Sequence, residues 1–208
     1  VYSDDKGENW TTCELDKIYT ADYYYVKFFD SDNGVIVCGY AKSNDTNESS
    51  RIYSTSNGGE SWDIVGSGPA TNIIKGVVYV SSDVGFFCYD YVEGMDSNLY
   101  KTDDGGKTFA KVMLEEQELD SSAANPQGQE TETKTDSGKN GADSSEQLRW
   151  GDVYKEALTP VVDSTGIITI YLTQGKNAVY NDGKTAAKYQ SSDKGSTWKY
   201  IGQVEIKD

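Results

Sequence analysis

One octamer occurs four times, and it limits the possible folds more than any other feature of the chain. The copies are SDDKGENW at 3–10, TSNGGESW at 55–62, TDDGGKTF at 102–109 and SSDKGSTW at 191–198. Each runs Ser or Thr, any residue, Asp or Asn, any residue, Gly, two more residues, then Trp or Phe. Repetition of this kind marks duplication of one structural unit. The chemistry is that of a tight turn. The Asp or Asn side chain accepts hydrogen bonds from nearby backbone N–H groups. The Gly supplies a positive φ where the chain reverses. The hydroxyl adds a second local bond, and the aromatic ring packs back into the core. Strand-like text lies on both sides, such as RIYST before one copy and WKYIGQVEI after another. The octamer is therefore predicted to be the turn of a β-hairpin.

A second repeated element precedes each hairpin. Segments 26–40, 76–91 and 159–171 each hold an apolar run, an Asp/Ser-rich turn with a glycine (Gly34, Gly85, Gly166), and another apolar run. A full repeat is thus four strands, over 23–66, 73–114 and 156–206. Residues 1–15 read as the second half of another unit. The expected fold is all-β, one domain over 1–208 made of three full units plus an N-terminal half unit. Residues 115–147 interrupt the repeats with polar and acidic text that includes Pro126. Such a segment buries too little apolar surface to offset its ordering entropy, so a flexible inserted loop is predicted.

The octamers resemble Asp boxes, the bacterial neuraminidase (BNR) repeats of the sialidase-like superfamily. In that family each repeat is one four-stranded antiparallel blade of a β-propeller. The resemblance implies an Asp-box β-propeller or part of one, with the Asp box joining the third and fourth strands away from the ligand face. It implies a structural role for Ser3, Asp5, Gly7 and Trp10, for Thr55, Asn57, Gly59 and Trp62, for Thr102, Asp104, Gly106 and Phe109, and for Ser191, Asp193, Gly195 and Trp198. Asn57 stands in place of Asp and Phe109 in place of Trp, and both keep the turn physics. Three and a half units are few for such a propeller. The remaining blades are expected from a longer chain or from self-association, with a compact four-bladed closure as the alternative.

Composition narrows the functions. With 19 Lys+Arg against 34 Asp+Glu the net charge is -15, which sets the chain against direct nucleic-acid binding, since phosphate contacts need basic surfaces. The absence of His removes His-based catalysis and His metal ligands. No apolar run nears the roughly 20 residues of a membrane-spanning helix. The acidic, Lys-over-Arg surface fits a secreted or cell-surface protein. Cys38 and Cys88 lie in apolar runs and read as buried free thiols, a disulfide between them being the alternative. No cofactor or metal is expected. DSDNG at 30–34 resembles the start of a calcium loop but lacks the distal Glu, and its place repeats as SSDVG and DSTG, which fits a turn better.

Sialidases resembling this repeat clamp the substrate carboxylate with three arginines. Arg51 and Arg149 are the only arginines here, so that clamp cannot be assembled within the chain. A carboxylate-pair glycosidase of the xyloglucanase type is the second enzyme reading, yet most Asp residues are already explained as turn residues. The preferred reading is an extracytoplasmic binding or scaffold module for a glycan or protein ligand. The alternative is a glycoside hydrolase whose catalytic residues lie partly outside this chain. By the resemblance, the ligand face is built from the inter-blade connections at 16–22, 67–72 and 115–155 and the loops at 41–50, 93–97 and 173–186. Trp150 is the one Trp outside the octamers, and beside Arg149 it could stack on a sugar or anchor a partner. Tyr23 and Tyr25, on a first strand, are the other ligand candidates, against ordinary packing between blades.

Overall fold

The computed structural model describes residues 1–3, 5–15, 21–40, 49–70, 72–119, 149–175 and 180–206. Three antiparallel sheets follow one another along the chain. The first holds β1 (Tyr23–Phe28), β2 (Gly34–Gly39), β3 (Ser50–Thr55) and β4 (Asp63–Ser67), in that spatial order. The second repeats it with β5 (Ile74–Tyr79), β6 (Gly85–Tyr89), β7 (Leu99–Thr102) and β8 (Ala110–Lys111). After a single helical turn, α1 (Trp150–Val153), the third holds β9 (Glu156–Ala157), β10 (Val161–Val162), β11 (Ile168–Thr173), β12 (Thr185–Ser191) and β13 (Lys199–Glu205).

The third sheet departs from the sequence expectation. Its first strand is split, with β9 pairing Leu172 and Thr173 and β10 pairing Ile168 and Thr169. Pro160 lies between the pieces and has no N–H to give to the ladder, so pairing breaks there. Gly166 lies in the turn as expected, with φ of 85°, but the register around it differs. Gly34 and Gly85 both pair with the first residue of an octamer, whereas in the third sheet that partner of Ser191 is Ile168 and not Gly166.

The sheets stack face on face in chain order. Val35, Val37 and Ile52 of the first meet Ile74, Val77, Tyr79, Phe87 and Tyr89 of the second. Phe86, Cys88 and Leu99 of the second meet Ile168 and Ile170 of the third. The middle strands β2 and β6 are covered on both faces, which explains their unbroken apolar text GVIVCG and GFFCY. Two glycines let the sheets close up. A Cβ on Gly39 would lie 2.2 Å from Cγ2 of Ile74, and one on Gly76 would lie 2.2 Å from Oγ1 of Thr159.

All four octamers carry one hydrogen-bond set. The first hydroxyl donates to the Asp or Asn Oδ1: Ser3 to Asp5 at 2.8 Å, Thr55 to Asn57 at 2.8 Å, Thr102 to Asp104 at 2.8 Å, Ser191 to Asp193 at 2.7 Å. The same hydroxyl accepts from the N–H of Gly7, Gly59, Gly106 and Gly195. That Oδ1 accepts the N–H of Asn9, Ser61, Thr108 and Thr197. Each box glycine has a positive φ, between 78° at Gly195 and 107° at Gly106. Three boxes join the third strand of a sheet to its fourth. The box at 3–10 is flanked by the Tyr2–Thr11 bridge, and among the described residues it joins no sheet.

The boxes also lock neighbouring sheets. The Trp198 ring meets Phe86 edge-on at 5.9 Å, and Gly106 lies against Ile52. Cys38, Cys88 and half-buried Cys13 are free thiols. Burial pushes the Cys38 and Cys88 thiols up to about 11 and about 12, so they pack as small apolar groups. Most of the expected insertion, 120–147, lies outside the described residues, as do 16–20, 41–48, 71 and 176–179 of the expected ligand face. Among the described residues no helix is long and apolar enough to cross a membrane.

Candidate functional site

In an antiparallel sheet the loop from second to third strand and the turn from third to fourth lie at opposite ends. The boxes therefore mark one end of the stack and the loop 90–98 marks the other. At that other end, between the second and third sheets, is a cleft of about 400 Å³. One wall is the loop after β6, with Tyr91, Met95 and Asp96. Another is the extended run after β8, with Met113, Leu114 and Glu116. The third is the segment Arg149 to Lys155 around α1. Described parts of two segments expected to build a ligand face, Met95 to Ser97 and Glu116 with Arg149 to Lys155, thus meet at one cavity.

Arg149 and Trp150 are brought together in it, but their roles differ from the sequence expectation. Arg149 sits extended just before α1 and is exposed at the rim. Trp150 is only 4% exposed. Its ring lies 4.7 Å from Tyr154 and 5.3 Å edge-on from Tyr200, so neither face is open for stacking on a ligand. The Trp150 ring is a wall of the cleft. Its Nε1 has no partner within hydrogen-bond distance. The nearby Tyr189 hydroxyl, which donates to the Glu115 carbonyl at 2.6 Å, is the group closest to serving it.

Tyr23 and Tyr25 are placed elsewhere. Their hydroxyls accept the N–H groups of Val77 and Tyr79, each at 3.1 Å, and Lys27 donates to the Tyr79 carbonyl. These three side chains of β1 cap the free edge of β5, which would otherwise offer unpaired backbone groups. Both tyrosines join sheet to sheet and take no part in the cleft.

Sequence reading missed the aromatic support behind Trp150. Tyr154 after α1, Tyr180 before β12, Tyr189 in β12 and Tyr200 in β13 come from four separate places in the chain and form one cluster. Gln174 holds Tyr180 by donating to its carbonyl at 2.8 Å and accepting its N–H at 3.1 Å. Asn181 and Asp182, with φ of 46° and 55°, turn the chain tightly to bring Tyr180 inward. The tyrosine-rich text was a signal, but its convergence needs the three-dimensional contacts.

Charges ring the cleft in pairs. Lys111 bonds Asp96 at 2.8 Å and Lys155 bonds Glu93 at 2.7 Å. The hydrogen bond from Lys111 holds the Asp96 carboxyl below the usual range. Asp96 is thus a committed anion, suited to accepting hydrogen bonds and unsuited to acting as a general acid. Gly151 leaves room for the Glu116 carboxylate, whose Oε1 would be 2.5 Å from a Cβ there. A smaller cleft of about 240 Å³ lies at the box end, lined by Asn33, Thr55, Asp104 and Lys107 among others. Among the described residues no cluster of His, Cys, Asp or Glu could hold a metal ion.

No protein-family model matches the chain, and no curated protein sequence matches it. Among solved structures, the crystal structure of the Niastella koreensis GH74 enzyme aligns with a TM-score of 0.39 at 16% identity. The alignment covers 80% of this chain but 19% of that one, so the chain spans about a fifth of that enzyme.

Proposed function

We propose that this chain is a non-catalytic binding module of an Asp-box β-propeller, that its ligand site is the cleft between the second and third sheets, and that the ligand is a glycan segment. The observation that carries the proposal is the meeting of the loop after β6, the run after β8 and the segment around α1 on one concavity, at the end away from all three sheet-forming boxes. The cleft is concave and small, which suits a short oligosaccharide better than a flat protein face. Tyr91, Met95 and Met113 give apolar surface for sugar C–H faces, while Asp96, Glu116 and Arg149 can meet hydroxyl groups. The Asp-box reading is supported by the shared sequence pattern and the shared bond set of the four octamers. The net charge of -15 and the excess of Lys over Arg support a secreted or cell-surface location. Surface proteolysis of intact cells checks that part.

The test is a glycan-array screen of the full chain followed by calorimetric titration of the best binder. Arg149→Ala and Asp96→Asn should each weaken binding about tenfold, roughly the loss of one charged hydrogen bond, with the fold unchanged. Absence of any glycan binding, or binding indifferent to both changes, would overturn the proposal. Release of reducing sugar from the bound glycan would replace it with hydrolysis.

A further inference from the structure

The lining of the cleft between the second and third sheets divides by exposure. Leu99, Val112, Trp150 and Ala157 are between 1% and 8% exposed, and half-buried Leu114 and Leu172 pack against the cluster that holds three of them. The charged lining residues Asp96, Glu116, Arg149 and Asp152 are all exposed. The cleft thus has an apolar floor, continuous with the core between the two sheets, and a charged rim. Around the floor the polar side chains are committed elsewhere. Ser97 Oγ donates to the Leu99 carbonyl at 3.2 Å and accepts the Leu99 N–H at 3.1 Å, and the Tyr154 hydroxyl shares a hydrogen bond with Thr185 at 2.8 Å. Asn98 occupies both backbone groups of Ala157, and Trp150 Nε1 is buried inside the wall. A polar atom carried down to this floor would lose its water and gain no side-chain partner.

From this division we infer that the glycan is neutral and ends in a 6-deoxyhexose, a sugar whose C6 is a methyl group, with that methyl on the floor and the ring hydroxyls at the rim. The inference rests on the glycan reading above and narrows it. Three observations choose this sugar. The floor is hydrocarbon, so a hexose would carry its C6 hydroxyl there unpaired, and an acetamido sugar its carbonyl oxygen; a methyl group loses nothing by burial. The rim is nearly balanced in charge. Lys111 and Lys155 are held by Asp96 and Glu93, and the other charged lining residues, Glu116, Asp152 and Arg149, are two negative and one positive. On a chain of net charge -15 such a rim suits hydroxyl groups and gives an acidic sugar no net positive charge to meet. The volume, about 400 Å³, lies at the low end for small-ligand sites and fits a terminal sugar better than a long run of them.

The probes are pairs of oligosaccharides that differ only at the terminal C6, one ending in a 6-deoxyhexose and one in the parent hexose, in both galacto and manno configurations, titrated into the full chain. The 6-deoxy member of at least one pair should bind at least tenfold more tightly, and up to about a hundredfold, the range in which an apolar pocket rejects an added hydroxyl. Saturation-transfer NMR should place the strongest protein contact at its C6 methyl. Val112→Thr keeps the shape of the side chain but sets a hydroxyl on the floor, and it should cut the preference to threefold or less while the thermal melt stays cooperative. The paired titrations need no variant, so a misfolded Val112→Thr chain does not decide the matter. If oligosaccharides bind and Arg149→Ala weakens them, yet hexose and 6-deoxyhexose bind alike or an acetamido terminus binds more tightly, the inference is overturned and the binding-module reading stands. If no oligosaccharide binds, both fall.

Discussion

The side chain of Asn98 meets the backbone of Ala157 as one strand meets another. Its Nδ2 donates to the Ala157 carbonyl at 2.9 Å and its Oδ1 accepts the Ala157 N–H at 2.9 Å, while Nδ2 also reaches the Tyr89 carbonyl at 2.8 Å. Asn98 is 1% exposed, and the bonds span from the second sheet to the third. Asn98→Ala strands buried backbone groups on both sides and should cost about 2–4 kcal/mol, since each buried unpaired group costs about 1–3 kcal/mol. Asn98→Asp should be no milder, because a carboxylate cannot donate to the Ala157 carbonyl. Urea unfolding with an unchanged m-value checks both.

Tyr23 and Tyr25 make a related prediction. Phe at either position keeps the ring but leaves the Val77 or Tyr79 N–H without its acceptor. A loss of about 1 kcal/mol per hydroxyl is expected, with faster hydrogen exchange confined to those two amides. Tyr24→Phe is the comparison. Its hydroxyl accepts only the Ala21 N–H at 3.3 Å on an exposed face, and it should change stability little.

Gly195 and Gly166 separate backbone strain from packing. Both have positive φ, at 78° and 85°. A Cβ on Gly166 meets nothing, whereas one on Gly195 would be 2.4 Å from the Phe86 ring. Gly166→Ala should cost about 1–2 kcal/mol from backbone strain alone. Gly195→Ala adds overpacking of about 1–3 kcal/mol. If thermal unfolding gives the two equal losses, the box does not bear on the neighbouring sheet.

The boxes also predict a pH response. Hydrogen bonding from Asn9 holds Asp5 down to about 2, and bonds from Thr108 and Thr197 hold Asp104 and Asp193 still lower. Folded values below the unfolded value of 3.8 mean these bonds stabilise the fold above that pH and are lost as pH falls through the folded values. Asn57 makes the equivalent bond to the Ser61 N–H without titrating. As pH falls through about 2 the amide of Asn9 should lose protection from exchange, those of Thr108 and Thr197 only at still lower pH, while Ser61 keeps it throughout. Asn57→Asp should bring Ser61 into line with the others.

The octamers made the hairpins legible because each combines a side-chain acceptor, a positive-φ glycine and an aromatic ring within eight residues. Local chemistry of that kind survives any tertiary arrangement. The apolar runs around Gly34 and Gly85 were legible for the same reason, since their turns are closed by short-range bonds such as those from Asp32 and Asn33 to Asp30. The split of the third sheet's first strand was overlooked because Val161 and Val162 read as a continuous run from Thr159, although Pro160 was in plain view. The cleft was half legible. Arg149 and Trp150 were found as an unassigned pair at a junction, but burial of the Trp150 ring depends on Tyr154 and Tyr200, which no spacing rule connects to it. The Asn98 bridge was invisible, because its partner is backbone in another sheet.

Gly39 and Gly76 have a geometric consequence beyond local fit. At both, a side chain of the next sheet enters the space that a Cβ would fill, near the start of its first strand. Elsewhere in the first of these junctions Tyr79 and Phe87 are fully buried, with Phe109 packed against them, and hold the two sheets at the distance that large rings require. A hydrogen in the place of a Cβ on each of these α-carbons thus governs how near one sheet can come to the next.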